Sequence, residues 1–366
     1  MTAEQIVVFL LMLSTLVVLH EYGHFIVARL NGVRVTDFAV GFGPTILRWT
    51  SPRSGTNYRL NVLPLGGYCQ MKGEDGKSSE AEQQREFRSG EVFEHDNFQA
   101  KSTLQRLSIV VAGPVANFIV ALAILLGSAV IFGVPSEMPT TKIFQLTPGY
   151  PAEKAGLRSG DRIVSIDGQT MPDGNILVDV IHRSAGKPLR IVYERNGHDT
   201  TVVVTPIERP DGKHVGYLGF RPLSLTQRVG VVEAAQYSWA QFAGIMTQTF
   251  GVLGSLVTHP TAVAANVSGP IGMARVSAQA EQFGPAVTLS LLAMISVSLG
   301  VFNLLPFPAL DGGRGVFILV EMLRGRPVDP EKEALVHVGG FAVLIALMIA
   351  VSFHDVSAAI SGRSVF

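Results

Sequence analysis

Cysteine is almost absent from this chain: Cys69 is the single one in 366 residues. That excludes an internal disulfide framework and any zinc cluster built from cysteines. Charge is sparse as well. Only 16% of residues are charged and the formal net charge is zero, so no general attraction to nucleic acid is expected. The amino-terminal tip lacks lysine and arginine, with Glu4 where a secretory signal would carry its basic region, and no small-x-small cleavage site follows the apolar run. A retained transmembrane helix is the expectation.

What the chain has in excess is apolar sequence, 47% of it, gathered in long windows. Four of these, at about 5–28, 107–132, 286–306 and 334–353, supply the ~20 mostly apolar residues that a ~30 Å hydrocarbon core demands. Between the first two lie eleven basic residues, from Arg29 and Arg34 to Lys101 and Arg106; between the last two lie Arg314, Arg324, Arg326 and Lys332. The positive-inside rule puts both basic loops in the cytoplasm and both termini outside.

The long stretch between the second and third windows then lies outside. Within it TKIFQL, DRIVSIDG, PLRIVYER, TTVVVTPI and VGYLGF are strand-like, NILVDVIHRSAG reads as a helix ended by Gly186, and Asn196-Gly197 is a type I′ hairpin signal. The stretch PAEKAGLRSGDRIVSIDG resembles the signature of bacterial PDZ domains, which bind peptides by adding a strand to a sheet edge. Residues 225–258 follow a helical rhythm with Tyr237 and Trp239 suited to an interface, and are expected to lie along the outer membrane surface. On the cytoplasmic side AVGFGPTILRW and YRLNVLPLGGYCQM suggest two short β-hairpins dipping toward the membrane, followed by a polar run, KGEDGKSSEAEQQREFRSGE, read as a solvated loop.

The expected fold is thus a polytopic α-helical membrane protein with four transmembrane helices, amino and carboxyl termini outside, a cytoplasmic-side β-hairpin region and one inserted α+β PDZ domain. The expected divisions are helix 1 in 1–30, a loop with re-entrant hairpins in 31–103, and helix 2 in 104–133. The PDZ domain takes 137–222 and surface amphipathic helices 223–285. A broken third helix fills 286–326, a loop and fourth helix 327–354, and a tail 355–366.

At the end of the first apolar window stands His20-Glu21-Tyr22-Gly23-His24, an H-E-x-x-H motif. Positions four apart on a helix differ by about 40° around its axis, so both imidazoles project from one face and can share a Zn²⁺, with Glu21 placed to take a proton from water. Ionisable side chains in a spanning helix are costly and mark function. A catalytic zinc takes a third protein ligand, for which His337, Glu321, Asp355 and Asp311 are candidates. Asp311 stands in NLLPFPALDGGR, where Pro306 and Pro308 forbid a regular helix and Gly312-Gly313 permit close backbone approach. His337, at the start of the fourth window on the same side, is the alternative.

HEYGH in the first span, a PDZ signature outside and NLLPFPALDGG near the carboxyl end together resemble the site-2 protease family of intramembrane zinc metalloproteases, and within it the sigma-E-regulating bacterial branch. The resemblance covers nearly the whole chain. It implies His20, His24 and Asp311 as zinc ligands, Glu21 as general base, and Asn303 in substrate handling. AGPVANF resembles the second-span motif and implies a place near the site for Gly113 and Asn117; VLPLGGYCQMKGED resembles the re-entrant hairpin that offers an edge to an extended substrate, around Gly66, Gly67 and Tyr68. The implied substrates are single-span membrane proteins already trimmed on the outer side, such as an anti-sigma factor or remnant signal peptides. The implied setting is the bacterial inner membrane, in contact with lipid, with peptide C-termini as ligands for the PDZ domain. Two other readings compete: a zinc transporter, and an inactive membrane-anchored PDZ adaptor.

Overall fold

The computed structural model describes residues 3–74, 95–209, 214–259, 269–326 and 328–360. Most of the polar run after Met71 lies outside them. Four described helices are long and apolar enough to cross a membrane: Glu4–Leu30, Thr103–Phe132, Pro285–Asn303 and Lys332–Phe353. They belong to α1 (Ala3–Leu30), α2 (Thr103–Phe132), α7 (Pro285–Asn303) and α9 (Pro330–Ile360). Their apolar residues run around the whole circumference, which leaves Leu11 on α1 and Val338, Phe341, Leu347 and Phe353 on α9 exposed on the protein surface. Helices apolar on all sides are unstable in water and suited to lipid.

The chain divides into two compact units. In the first, α1 packs through Phe9 and Leu16 on Ala274 and Ile295, and α2 packs through Ala121 and Leu125 on Phe242, Val297 and Val301. The sheet beside α1 is built from β1 (Val35–Thr50) and β2 (Asn57–Met71). The two are long and bent, so that Phe38, Ala39 and Val40 pair with Cys69, Tyr68 and Gly67, and also with Tyr58, Arg59 and Leu60, while Thr50 reaches Asn57. Where the sequence suggests two short hairpins, one folded-over sheet forms. Gly41 and Gly43, both at positive φ, let β1 turn where a hairpin loop would otherwise end the strand.

The second unit holds a six-stranded sheet in the order β10-β3-β4-β6-β7, with β5 beside β4. Its strands are β3 (Val134–Leu146), β4 (Arg162–Ile166), β5 (Gln169–Thr170), β6 (Leu189–Arg195), β7 (His198–Val204) and β10 (Phe220–Gln227). A helix, Gly174–His182, is capped by the Asp173 carboxylate, which accepts from the amides of Asn175 and Ile176. The helix contributes Leu177 and Ile181 to a core with Ile143, Ile163, Ile166, Ile191 and Leu218. Asn196 and Gly197 both have positive φ, as a type I′ turn between β6 and β7 requires. The β3–β10 ladder runs past the limits of 137 and 222, pairing Thr226 with Pro135 and Gln227 with Val134. Pro135, Pro139 and Pro222 obscured this in the sequence; Pro222 is tolerated because β10 ends the sheet, and Pro135 and Pro139 because β3 meets β4 at Lys142 and Arg162, beyond both. Buried Asp161 accepts two hydrogen bonds from Arg195, both 2.7 Å, and one from the Arg158 amide. That bidentate pairing raises the affinity of the Arg195 guanidinium for its proton.

Candidate metal centre

α1 places His20 and His24 one turn apart, both buried, with their Nε2 atoms 3.2 Å from each other. Asp311 comes from elsewhere in the chain. Pro306 and Pro308 interrupt the helical path after Asn303, and α8 (Asp311–Arg324) begins only at the aspartate itself. Asp311 Oδ2 lies 3.0 Å from His20 Nε2 and 3.3 Å from His24 Nε2. Gly312 and Gly313 make this possible, since a Cβ on either would overlap carbonyl oxygens of the preceding turn. These three residues form the one group of metal-ligating side chains among the described residues.

The donor set fits zinc. Four tetrahedral ligands at about 2.0–2.1 Å lie about 3.3–3.4 Å apart, which matches the triangle of donor atoms to within a few tenths of an ångström. Asp311 Oδ2 is buried and has no hydrogen-bond partner, a costly arrangement that a cation between the three atoms resolves. The far side of each imidazole is held as well. His24 Nδ1 donates to the carbonyl of Ile109 on α2, 2.8 Å away, which leaves the Nε2 lone pair for a metal. His20 Nδ1 lies 3.1 Å from the side-chain amide of Asn117, a fully buried residue whose Oδ1 lacks a partner. Turned end for end, that amide accepts from His20 Nδ1–H through Oδ1 and likewise frees Nε2.

α2 can come this close because position 113 is glycine. A Cβ there would overlap His24 Nε2 and lie 2.7 Å from His20 Cε1 and Nε2. Beside the triad is a cavity of about 230 Å³, bordered by His20, Glu21, Asn117, Asn303 and Asp311. It has room for several waters or a short length of extended peptide. Glu21 Oε2 accepts a hydrogen bond from the Cys69 amide of β2 at 3.0 Å. Cys69 therefore turns its amide away from β1 and toward α1.

The structure brings His20, Glu21, His24, Asn117, Asn303 and Asp311 to one place. Gly66, Gly67 and Tyr68 do not border the cavity; they occupy β2 just before Cys69, with Gly66 O 3.5 Å from Ser14 Oγ. Of the other candidate ligands, Glu321 pairs with Arg106 and His337 accepts from the Ala309 amide. The side chain of Asp355 lies outside the described residues. Two contacts escaped the sequence reading, those of the Ile109 carbonyl and the Cys69 amide. Both are backbone groups and leave no trace in residue type.

A model of Peptidase family M50 matches residues 8–347. The zinc metalloprotease RasP of Geobacillus kaustophilus is 31% identical, covering 97% of this chain and 98% of its own. The RasP of Bacillus licheniformis is 30% identical, covering 96% and 98%. The PDZ domain of an SdrC-like protein from Listeria innocua is 25% identical, with 23% of this chain and 92% of that one covered and a TM-score of 0.21; the reading of the second unit rests instead on its own strands. The matched span contains the whole His-His-Asp group, and on that breadth of likeness the chain belongs to peptidase family M50, the site-2 proteases that its motifs resemble.

Proposed function

We propose that this chain is a zinc-dependent intramembrane endopeptidase that cuts the membrane spans of single-span proteins. One observation carries the reading: two members of a metal-ligating triad, His20 and His24, stand with the Glu21 carboxylate on a helix apolar enough to cross a membrane, and Asp311 completes the triad from the start of α8. Zinc held by His20, His24 and Asp311 would polarise the scissile carbonyl and make water a competent nucleophile near neutral pH. Glu21 accepts the proton of the attacking water and delivers it to the leaving amine. The Cys69 amide occupies Oε2 of Glu21 and fixes the carboxylate's orientation, leaving Oε1 for that transfer.

A transmembrane helix hides its carbonyls in its own hydrogen bonds, so the substrate must unwind first. Pairing with β2 near Gly66, Gly67 and Tyr68 would hold it extended, and the Asn303 amide would bind its freed backbone. Basic loops flanking the spans support an amino-out, carboxyl-out arrangement in a bacterial inner membrane. The second unit, read as a PDZ domain, would lie outside, and either grip new C-termini or exclude untrimmed proteins. A transport pathway would need further ligand groups along its length, and among the described residues there is a single group.

The test uses the full chain in liposomes with a single-span peptide lacking an outer domain. Mass spectrometry should locate the cut inside the apolar segment. 1,10-Phenanthroline should abolish the cut and added zinc restore it. Cleavage only outside that segment, or indifference to the chelator, would contradict the proposal.

A further inference from the structure

The turn that presents Asp311 is held from behind by α9. Ala309, two residues before the aspartate, has a φ of 75°, a left-handed conformation uncommon for a residue with a Cβ. Its amide donates to His337 Nδ1 at 2.8 Å. One turn along the same face of α9, Gly340 presses on the neighbouring Pro308: a Cβ there would overlap Pro308 Cβ and lie 2.6 Å from its carbonyl oxygen. The His337 ring also packs on Phe317 of α8, with centroids 5.5 Å apart. Three contacts thus tie one face of α9 to the turn and the helix that carry Asp311.

His337 itself stands outside the metal-binding group. Because Nδ1 accepts, the neutral ring carries its proton on Nε2, which faces the Glu333 carboxylate 3.9 Å away. We propose that His337 is a positioning residue: through Nδ1 it locks the left-handed turn at Ala309 and so sets the Asp311 carboxylate on His20 and His24. The proposal rests on Asp311 being a zinc ligand.

Three substitutions separate this role from mere packing. In His337→Asn the side-chain oxygen takes the place of Nδ1. In His337→Gln the acceptor moves out to the place of Nε2, and His337→Phe keeps the ring without an acceptor. Zinc affinity of the full-length protein in detergent, measured by competition with a chelator, is the readout, with Asp311→Ala as reference. Loss of an outer hydrogen-bond partner weakens metal binding about 10–100-fold, so His337→Phe and His337→Gln should fall in that range and His337→Asn within about threefold of the native protein. If Phe or Gln binds as tightly as the native residue while Asp311→Ala still loses zinc, or if Asn binds as weakly as Phe, the positioning role is wrong and the metal centre stands. Native affinity in Asp311→Ala would overturn both.

Discussion

Glu21→Gln should keep its full complement of zinc and cleave a single-span substrate about 10²–10⁴-fold more slowly, the usual contribution of a positioned general base. The two halves of that result have separate causes. Glutamine has nearly the shape of glutamate, and its oxygen can still accept from the Cys69 amide, so β2 and α1 keep their contact. His20, His24 and Asp311 are untouched, and the metal-binding triangle has no share in Glu21. The carboxamide cannot take up a proton at neutral pH, and the transfer from water to the leaving amine loses its carrier. Metal analysis of the purified variant beside its cleavage rate checks both at once. Zinc loss parallel to the activity loss would instead make Glu21 a ligand.

The second large effect is expected at a residue with no chemistry of its own. Gly113→Ala adds a single carbon where His24 Nε2 now lies, and within 2.7 Å of two atoms of His20. An imidazole displaced by that carbon no longer faces Asp311, and zinc affinity should fall by about 100-fold, the upper end of what loss of a ligand's support costs. Alanine is the better helix former, by about 1 kcal/mol, so a weakened α2 cannot explain the loss. Gly127→Ala, in the same helix with open space around its site, is the matched control and should bind zinc normally. Equal zinc content in both variants would mean that α2 does not lie against the histidines.

Much of this was legible in the sequence because the signals were local. His20, Glu21 and His24 sit within five residues, and helical periodicity alone puts the histidines on one face. Asn196-Gly197 announced its turn, and four long apolar windows correspond to four candidate spans. The third metal ligand was harder. Asp311 is 287 residues beyond His24, and what marked it were the prolines and glycines around it. His337 shows where that reasoning stops, because a histidine at the right depth looks like a ligand until its partner is seen to be a backbone amide. The β1–β2 sheet was legible as strands but not as a shape, since Gly41 and Gly43 permit the bends that set its register without dictating them. The clamps on His24 and Glu21 come from main-chain atoms, which every residue possesses.

X-ray absorption at the zinc edge of the purified, full-length protein reaches the core of the account. The spectrum should fit four light scatterers at about 2.0–2.1 Å, two of them imidazoles, with no sulfur. A shell near 2.3 Å would be sulfur, and Cys69 is the single cysteine that could supply it. A sulfur shell, or a spectrum with fewer than two imidazoles, would contradict a metal site made by His20, His24 and Asp311.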